Sequence, residues 1–122
     1  MLTIEALKAK TDSPVIVVDH DGIIVHINQI FEKTWGWQKE VLIGQTLTTI
    51  IPDNLTDAHH MGFSRFLLTG KPTILNQPVE LVIMRADGKE AAAEHFITAE
   101  KIKGNWVFGA TITPLEESVK GS

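Results

Sequence analysis

Two tight-turn signals in the last third of the chain most constrain its fold. Asp87-Gly88 separates a β-rich run at 79–85 from a longer run at 90–100, and Lys103-Gly104 separates that run from a third at 106–113. Glycine supplies the positive φ that tight hairpin turns require. Strands that are joined by hairpins are antiparallel, so residues 79–113 predict a three-stranded antiparallel meander.

The first third of the chain shows the same pattern once more. A β-rich run at 14–19 is followed by Asp21-Gly22 and by a return strand at 23–27. Strict alternation predicts that Ile23, Val25 and Ile27 share one face of the return strand and that Ile24 and His26 share the other.

Helical patterns fill the middle of the chain. They cover residues 29–35, ended by Gly36, then 38–43, ended by Gly44, then 46–51, which stops at Pro52. A longer helix begins at Asn54 or Thr56 and ends at Gly70. Two strands, several helices and three strands predict an α+β domain, with the helices on one face of an antiparallel sheet.

A short helix at 3–10, capped by Thr3, precedes the first strand. Its apolar stripe contains only Ile4 and Leu7, so the helix is expected to pack on something else.

Charge and composition exclude several classes of function. The net charge is −4 and the chain has no basic run, which argues against nucleic-acid binding. The chain contains no cysteine, which removes disulfides, thiolate metal sites and cysteine nucleophiles and fits a cytoplasmic location. No apolar run is long enough for a transmembrane helix. The sequence also contains neither a phosphate-binding loop nor a metalloprotease motif, so no motif indicates an enzyme.

His59 is the residue of greatest chemical interest. At about 100° per residue it lies in the middle of an apolar helix face, formed by Leu55, Gly62, Phe63 and Phe66. An imidazole in an apolar pocket is either a satisfied core residue or a ligand for something bound there. A second imidazole, His95, is predicted to share one face of its strand with Ala91, Ala93 and Ile97. His20 is expected in an exposed turn and His26 at the sheet surface.

The order and spacing of these signals resemble a PAS domain over residues 13 to about 115. The matching pieces are 14–19 with Asp21-Gly22, 27–31 before Gly36-Trp37, 40–45, Ile51-Pro52, 85–88 and 106–113. The resemblance implies a five-stranded antiparallel sheet with a helical cap. It also implies a flanking helix at 1–12, a sensor domain at 13–115 and a tail at 116–122 that leads to an effector outside the chain. Many PAS domains end their last strand in Asp-Ile-Thr, whereas this chain has Thr111-Ile112-Thr113, so its output contact is expected to differ.

Within that family, the segment around His59 is similar to the FixL-type oxygen-sensor kinases of two-component systems. Pro52, His59, Arg65-Phe66 and Thr69-Gly70 stand at matching spacing. The resemblance implies haem b with His59 as the proximal ligand, for sensing a diatomic gas or redox state. The distal arginine of those proteins falls on Val79, and His95 falls on a distal apolar position as a second candidate iron ligand. The expected pocket walls are Leu55, Gly62, Phe63, Phe66, Ile74, Val79, Leu81 and Ile97.

Three alternatives remain open at this level. His59 and His95 could hydrogen-bond an organic small molecule, or the domain could be a cofactor-free homodimerisation module that uses the helix at 3–10 and the outer sheet face. His59 could also be a packed core residue. FMN and FAD are disfavoured, because a LOV-type module needs a cysteine and the loop at 71–75 lacks the Trp-x-Gly of FAD-binding relatives.

Overall fold

The computed structural model describes residues 3–55 and 75–115. In chain order, the helices and strands of these residues are α1 (Ile4–Lys8), β1 (Val15–Val18), β2 (Ile24–Ile27), α2 (Gln29–Trp35), α3 (Lys39–Leu42), β3 (Pro78–Met84), β4 (Glu90–Ile102) and β5 (Asn105–Pro114). Two 3-10 turns, Leu47–Ile50 and Asp53–Leu55, follow α3. The predicted long helix falls on residues 56–74, outside the described part.

The five strands form one antiparallel sheet in the order β2-β1-β5-β4-β3. The predicted meander is confirmed: β3 pairs with β4 and β4 pairs with β5. Ile102 pairs with Asn105 across a two-residue turn in which Lys103 and Gly104 have φ of 52° and 85°. Positive φ at both central residues gives the turn that best matches strand twist.

The predicted alternation in β2 is wrong, because the strand contains a β-bulge. Ile16 pairs with Ile27, Val17 with His26 and Val18 with Ile24, so Val25 is the extra residue without a partner on β1. The bulge lets Ile24 and Ile27 both reach the core, at 0% and 5% exposure, while Val25 is 43% exposed.

The main core lies on the face of the sheet that we call the inner face. There α2, α3 and the 3-10 turns cover β1, β4 and β5. Phe31, Trp35 and Leu42 are almost fully buried against Ile16, Val18 and other strand residues. A five-stranded antiparallel sheet with short helices on one face is the architecture that the sequence predicts.

The opposite, outer face is covered by α1 over β1 and β5. Ile4 and Leu7 are 2% and 0% exposed and pack with Val15 and Val17. Gly109 of β5 makes this approach possible, because a Cβ there would lie 2.6 Å from Leu7 Cδ1 and 3.0 Å from Ile4 Cδ1. The thin apolar stripe predicted for this helix is therefore satisfied by the chain's own sheet.

Asn28 joins α1's end, β1 and α2. Its Oδ1 accepts the N–H groups of Val15 (3.0 Å) and Phe31 (2.9 Å), and its Nδ2 donates to the carbonyls of Ser13 (2.7 Å) and Lys10 (3.2 Å). The residue thus acts as the N-cap of α2 and uses the full hydrogen-bonding capacity of its amide group.

Candidate functional site

The inner face of β4 carries the site residues that the structure describes. Cross-strand partners share a face, and His95 lies opposite Val79 on β3 and Ile112 on β5. The pairing of β4 with β5 runs without a register shift, so His95 stays on the same face as Ala93 and Ile97, which contact the main core. The predicted sharing of one face by these residues agrees with this register.

His95 is 8% exposed, and its Nδ1 lies 3.2 Å from the carbonyl oxygen of Ala93 on the same strand. A carbonyl can only accept a hydrogen bond, so Nδ1 donates. Burial lowers the pKa of His95 below the usual imidazole value, and the hydrogen bond to Ala93 opposes that shift only in part. The ring is therefore neutral at physiological pH, which is the form that binds a transition metal.

Trp35 is buried in the main core of the inner face. Its Nε1 donates to the carbonyl oxygen of Ile112 at 3.0 Å, in a buried position. The amide N–H of Ile112 donates to the carbonyl oxygen of Pro14, which lies just before β1. Because proline has no N–H, it cannot donate to the Ile112 carbonyl in return, and this carbonyl lacks a partner on β1. The indole provides that missing partner, as a buried backbone carbonyl requires.

Trp37 makes a similar bond at the edge strand β3, where its Nε1 donates to the carbonyl oxygen of Met84 at 3.0 Å. Between the two tryptophans, Gly36 has a φ of 83° and ends α2. Sequence reasoning did not predict these backbone partners. The available signal was that a buried indole N–H needs an acceptor.

The structure brings together four of the predicted site residues. Val79 and Leu81 lie opposite His95 and Ala93 on the inner face, and Ile97 contacts the core two residues further along β4. Leu81 keeps 39% of its surface exposed. The remaining predicted site residues lie outside the described part, as does the side chain of Leu55: His59, Gly62, Phe63, Phe66 and Ile74.

A half-buried imidazole lies on the outer face. His26 pairs with Val17, and its Nε2 atom is buried without a hydrogen-bond partner among the described residues. The pKa of His26 is lowered, first by burial and then by the positive charges of Lys8 and Lys39. His20, by contrast, lies in its turn with 44% of its side chain exposed, 3.6 Å from the carboxylate of Asp21.

His95 is an imidazole of the described part that could serve a haem site on the inner face. Within residues 3–55 and 75–115, no group of three or more His, Cys, Asp or Glu side chains could hold a metal ion. A neutral imidazole is a common protein ligand of haem iron. A buried neutral His95 beside apolar Val79 and Ile97 fits that role.

The fold is an α+β domain with short helices on one face of a five-stranded antiparallel sheet. The PAS-fold family model matches residues 3–75, more than half of the chain. The chain therefore belongs to the PAS family, and it is a sensory module.

An uncharacterized protein of Azorhizobium caulinodans is 36% identical over 106 residues, which cover 86% of this chain and 14% of that protein. The chain thus spans about one seventh of the relative's length. Among solved structures, the PAS domain of an HTR-like protein from Haloarcula marismortui has a TM-score of 0.66 at 23% identity, over 92% of this chain and 94% of that one.

The Rhodobacter sphaeroides LOV protein is also similar in fold. It has a TM-score of 0.67 at 14% identity, over 95% of this chain and 66% of that chain. At such identities both structural likenesses show the fold alone. In addition, no helix among the described residues is long and apolar enough to cross a membrane.

Proposed function

We propose that this PAS domain senses a ligand held against the inner face of its sheet, and that the ligand is haem b. The observation that carries the proposal is His95, a neutral imidazole that is 8% exposed on an otherwise apolar part of that face. A polar ring kept in such a position loses hydration, which a bound partner would compensate.

In this proposal His59 is the axial ligand, by its resemblance to the FixL-type helix, and His95 is the second imidazole of the site. When bound, haem supplies an iron centre that responds to a diatomic gas or to redox state. Apolar Val79, Leu81 and Ile97 would line the site around His95. Val79 supplies no donor where the FixL-type kinases have an arginine, so this chain would treat oxygen differently from them.

The decisive experiment is titration of the folded protein with haemin, followed by absorption spectroscopy. We expect a protein-bound Soret band that is lost in His59→Ala and altered in His95→Ala. His20→Ala is the matched control, since it removes an exposed turn imidazole and should leave the spectrum unchanged. A folded wild-type protein that gives no bound Soret band would refute haem binding.

An organic ligand is the second candidate, and flavin is considered among such ligands because one protein of similar fold is a light-oxygen-voltage domain studied with a flavin analogue. The chain has no cysteine, so any flavin here would bind without a thiol adduct. Native mass spectrometry and the visible spectrum of the purified protein separate the candidates, because flavin and haem differ in mass and in absorption.

We also propose a homodimer that uses α1 and the outer face, within a longer cytoplasmic signalling protein that carries an effector. The Azorhizobium relative, about seven times longer than its matched segment, supports the longer chain. Ile4 and Leu7 are already buried on the chain's own sheet, so the dimer would form around a docked α1 or by exchange of that helix. Sedimentation equilibrium over a range of concentrations tests this proposal.

A further inference from the structure

The hydrogen bond of His95 decides what its other nitrogen can do. Nδ1 lies 3.2 Å from the Ala93 carbonyl, which has no proton to give. The proton of this bond must therefore be on Nδ1. His95 is 8% exposed, and the acceptor of its hydrogen bond to Ala93 is a neutral carbonyl rather than a carboxylate. A doubly protonated ring would be an unpaired buried charge, which is strongly disfavoured.

A neutral imidazole has one N–H, so the proton on Nδ1 leaves Nε2 with a lone pair. The two nitrogens diverge from each other, and Nδ1 is turned to the strand's own backbone. Nε2 is therefore the atom that His95 offers away from the strand.

We propose that His95 acts as a lone-pair donor through Nε2, so that the pocket takes a metal centre or a hydrogen-bond donor at this point. Groups that can only accept a hydrogen bond, such as a carboxylate, a carbonyl or dioxygen, find no donor there. This inference rests on the proposed ligand pocket and deepens it: His95 is suited to be a second axial ligand of haem, and it is not a substitute for the missing distal arginine.

The arrangement is also a recognised way of preparing a metal-binding histidine. Histidines that bind metals usually donate their other N–H to a carbonyl or carboxylate, which fixes the tautomer and the ring orientation. Here the strand itself provides the carbonyl two residues earlier, so the tautomer does not depend on any bound group.

The first test needs no ligand and no variant. Two-bond ¹⁵N–¹H correlation spectra of the uniformly labelled protein at pH 7.5 report which nitrogen of His95 carries the proton, and His95→Gln assigns the signal. We expect protonated Nδ1 and unprotonated Nε2. A protonated Nε2 would overturn the inference whatever the protein binds.

The second test uses two probes of equal shape, indole and benzofuran, which differ in that indole donates an N–H and benzofuran presents only a ring oxygen. We expect indole to bind the wild type about fivefold more tightly, as one hydrogen bond allows, and the preference to vanish in His95→Leu. Equal binding of the two, preference for benzofuran, or binding of neither probe would overturn the inference.

The third test uses haemin and separates this inference from the haem proposal. Wild type is expected to give a low-spin ferric spectrum, and His95→Leu a high-spin one that still depends on His59. A high-spin spectrum in both proteins would overturn the role of His95 as an iron ligand. Complete failure of haemin to bind would instead refute the haem proposal. The NMR measurement of the tautomer and the comparison of indole with benzofuran would still test whether Nε2 carries the lone pair.

Discussion

The two faces of the sheet bury their apolar surface by different means. On the inner face, helices and turns contribute large side chains such as Phe31, Trp35 and Leu42 to one extensive core. On the outer face, the five-residue helix α1 contributes only Ile4 and Leu7. A helix this short is not stable alone, so its structure depends on contacts with the sheet.

The polar groups of β4 follow the same division. His95 on the inner face bonds to its own strand, whereas Glu100 on the outer face reaches out to α1 and accepts the N–H of Ile4 at 2.8 Å. One strand therefore supplies the candidate ligand-binding group and the group that holds the flanking helix. Because His95 and Glu100 lie on opposite faces of β4, we expect mutations to alter the ligand site and the attachment of α1 independently.

Trp35→Ala should have the largest effect, because it removes a 1% exposed side chain and leaves the Ile112 carbonyl without its indole partner. We expect a loss of about 3–5 kcal/mol in the free energy of unfolding, measured by urea denaturation followed by circular dichroism. Val41→Ala, at a side chain that is 52% exposed, is the control and should change stability by less than about 0.5 kcal/mol. Similar small effects of both variants would contradict the description of the inner core.

Gly109→Ala tests the outer face alone. The new Cβ would meet Leu7 Cδ1 at 2.6 Å, so α1 must shift, at a cost of about 1–3 kcal/mol. In a Leu7→Ala background the cost should fall by at least about 0.5 kcal/mol, because the nearest contact is gone. Additive effects in this double-mutant cycle would show that Gly109 does not control the docking of α1. Binding at the inner face should be unchanged.

The pH dependence of stability compares one imidazole from each face. The pKa values of His95 and His26 are lowered in the folded protein, so below about pH 6.5 the unfolded chain binds more protons. Stability should be complete above that pH and fall as the pH drops through the folded pKa values, by at most about 1.4 kcal/mol per pH unit for each ring. His95→Gln and His26→Gln should each flatten the curve. A stability that rises between pH 6.5 and 5 would have the wrong sign.

Glu100→Ala should have the smallest effect of the four. It removes the acceptor of the Ile4 N–H, and we expect a loss of about 1 kcal/mol. Glu100→Gln keeps an acceptor oxygen and should recover part of the loss. Amide hydrogen exchange provides the sharper measurement, since protection should decrease at α1 and stay unchanged on β4. Unchanged exchange at α1 would mean that Glu100 does not hold the helix.

The sequence predicted the fold well where local signals agree with each other. Turn glycines, alternation along β4 and the Thr3 cap of α1 all act over a few residues, and the structure confirms them. The bulge at Val25 was not predicted, because it follows from the need to bury both Ile24 and Ile27. That is a requirement of the whole core rather than of the strand.

The sequence predicted only part of the candidate site, because the rest depends on the assembled fold rather than on local signals. Alternation on β4 gave the face of His95 correctly, but its bond to Ala93 depends on the rotation of the ring, which has no sequence signature. The partners of Trp35 and Trp37 are backbone carbonyls far along the chain, and only the assembled sheet shows which carbonyls lack a strand partner. The role of His59 stays a prediction.

The indole bond of Trp35 has a practical consequence for anyone who purifies this protein. The chain contains three tryptophans and no tyrosine, so its ultraviolet emission comes from indole alone. One of these indoles, that of Trp35, is buried in the inner-face core and donates its N–H to the carbonyl oxygen of Ile112. The domain thus carries an internal fluorophore in the same core as Ala93 and Ile97, the neighbours of His95 on its strand face. Quenching of its emission would report an arriving chromophore without any added label.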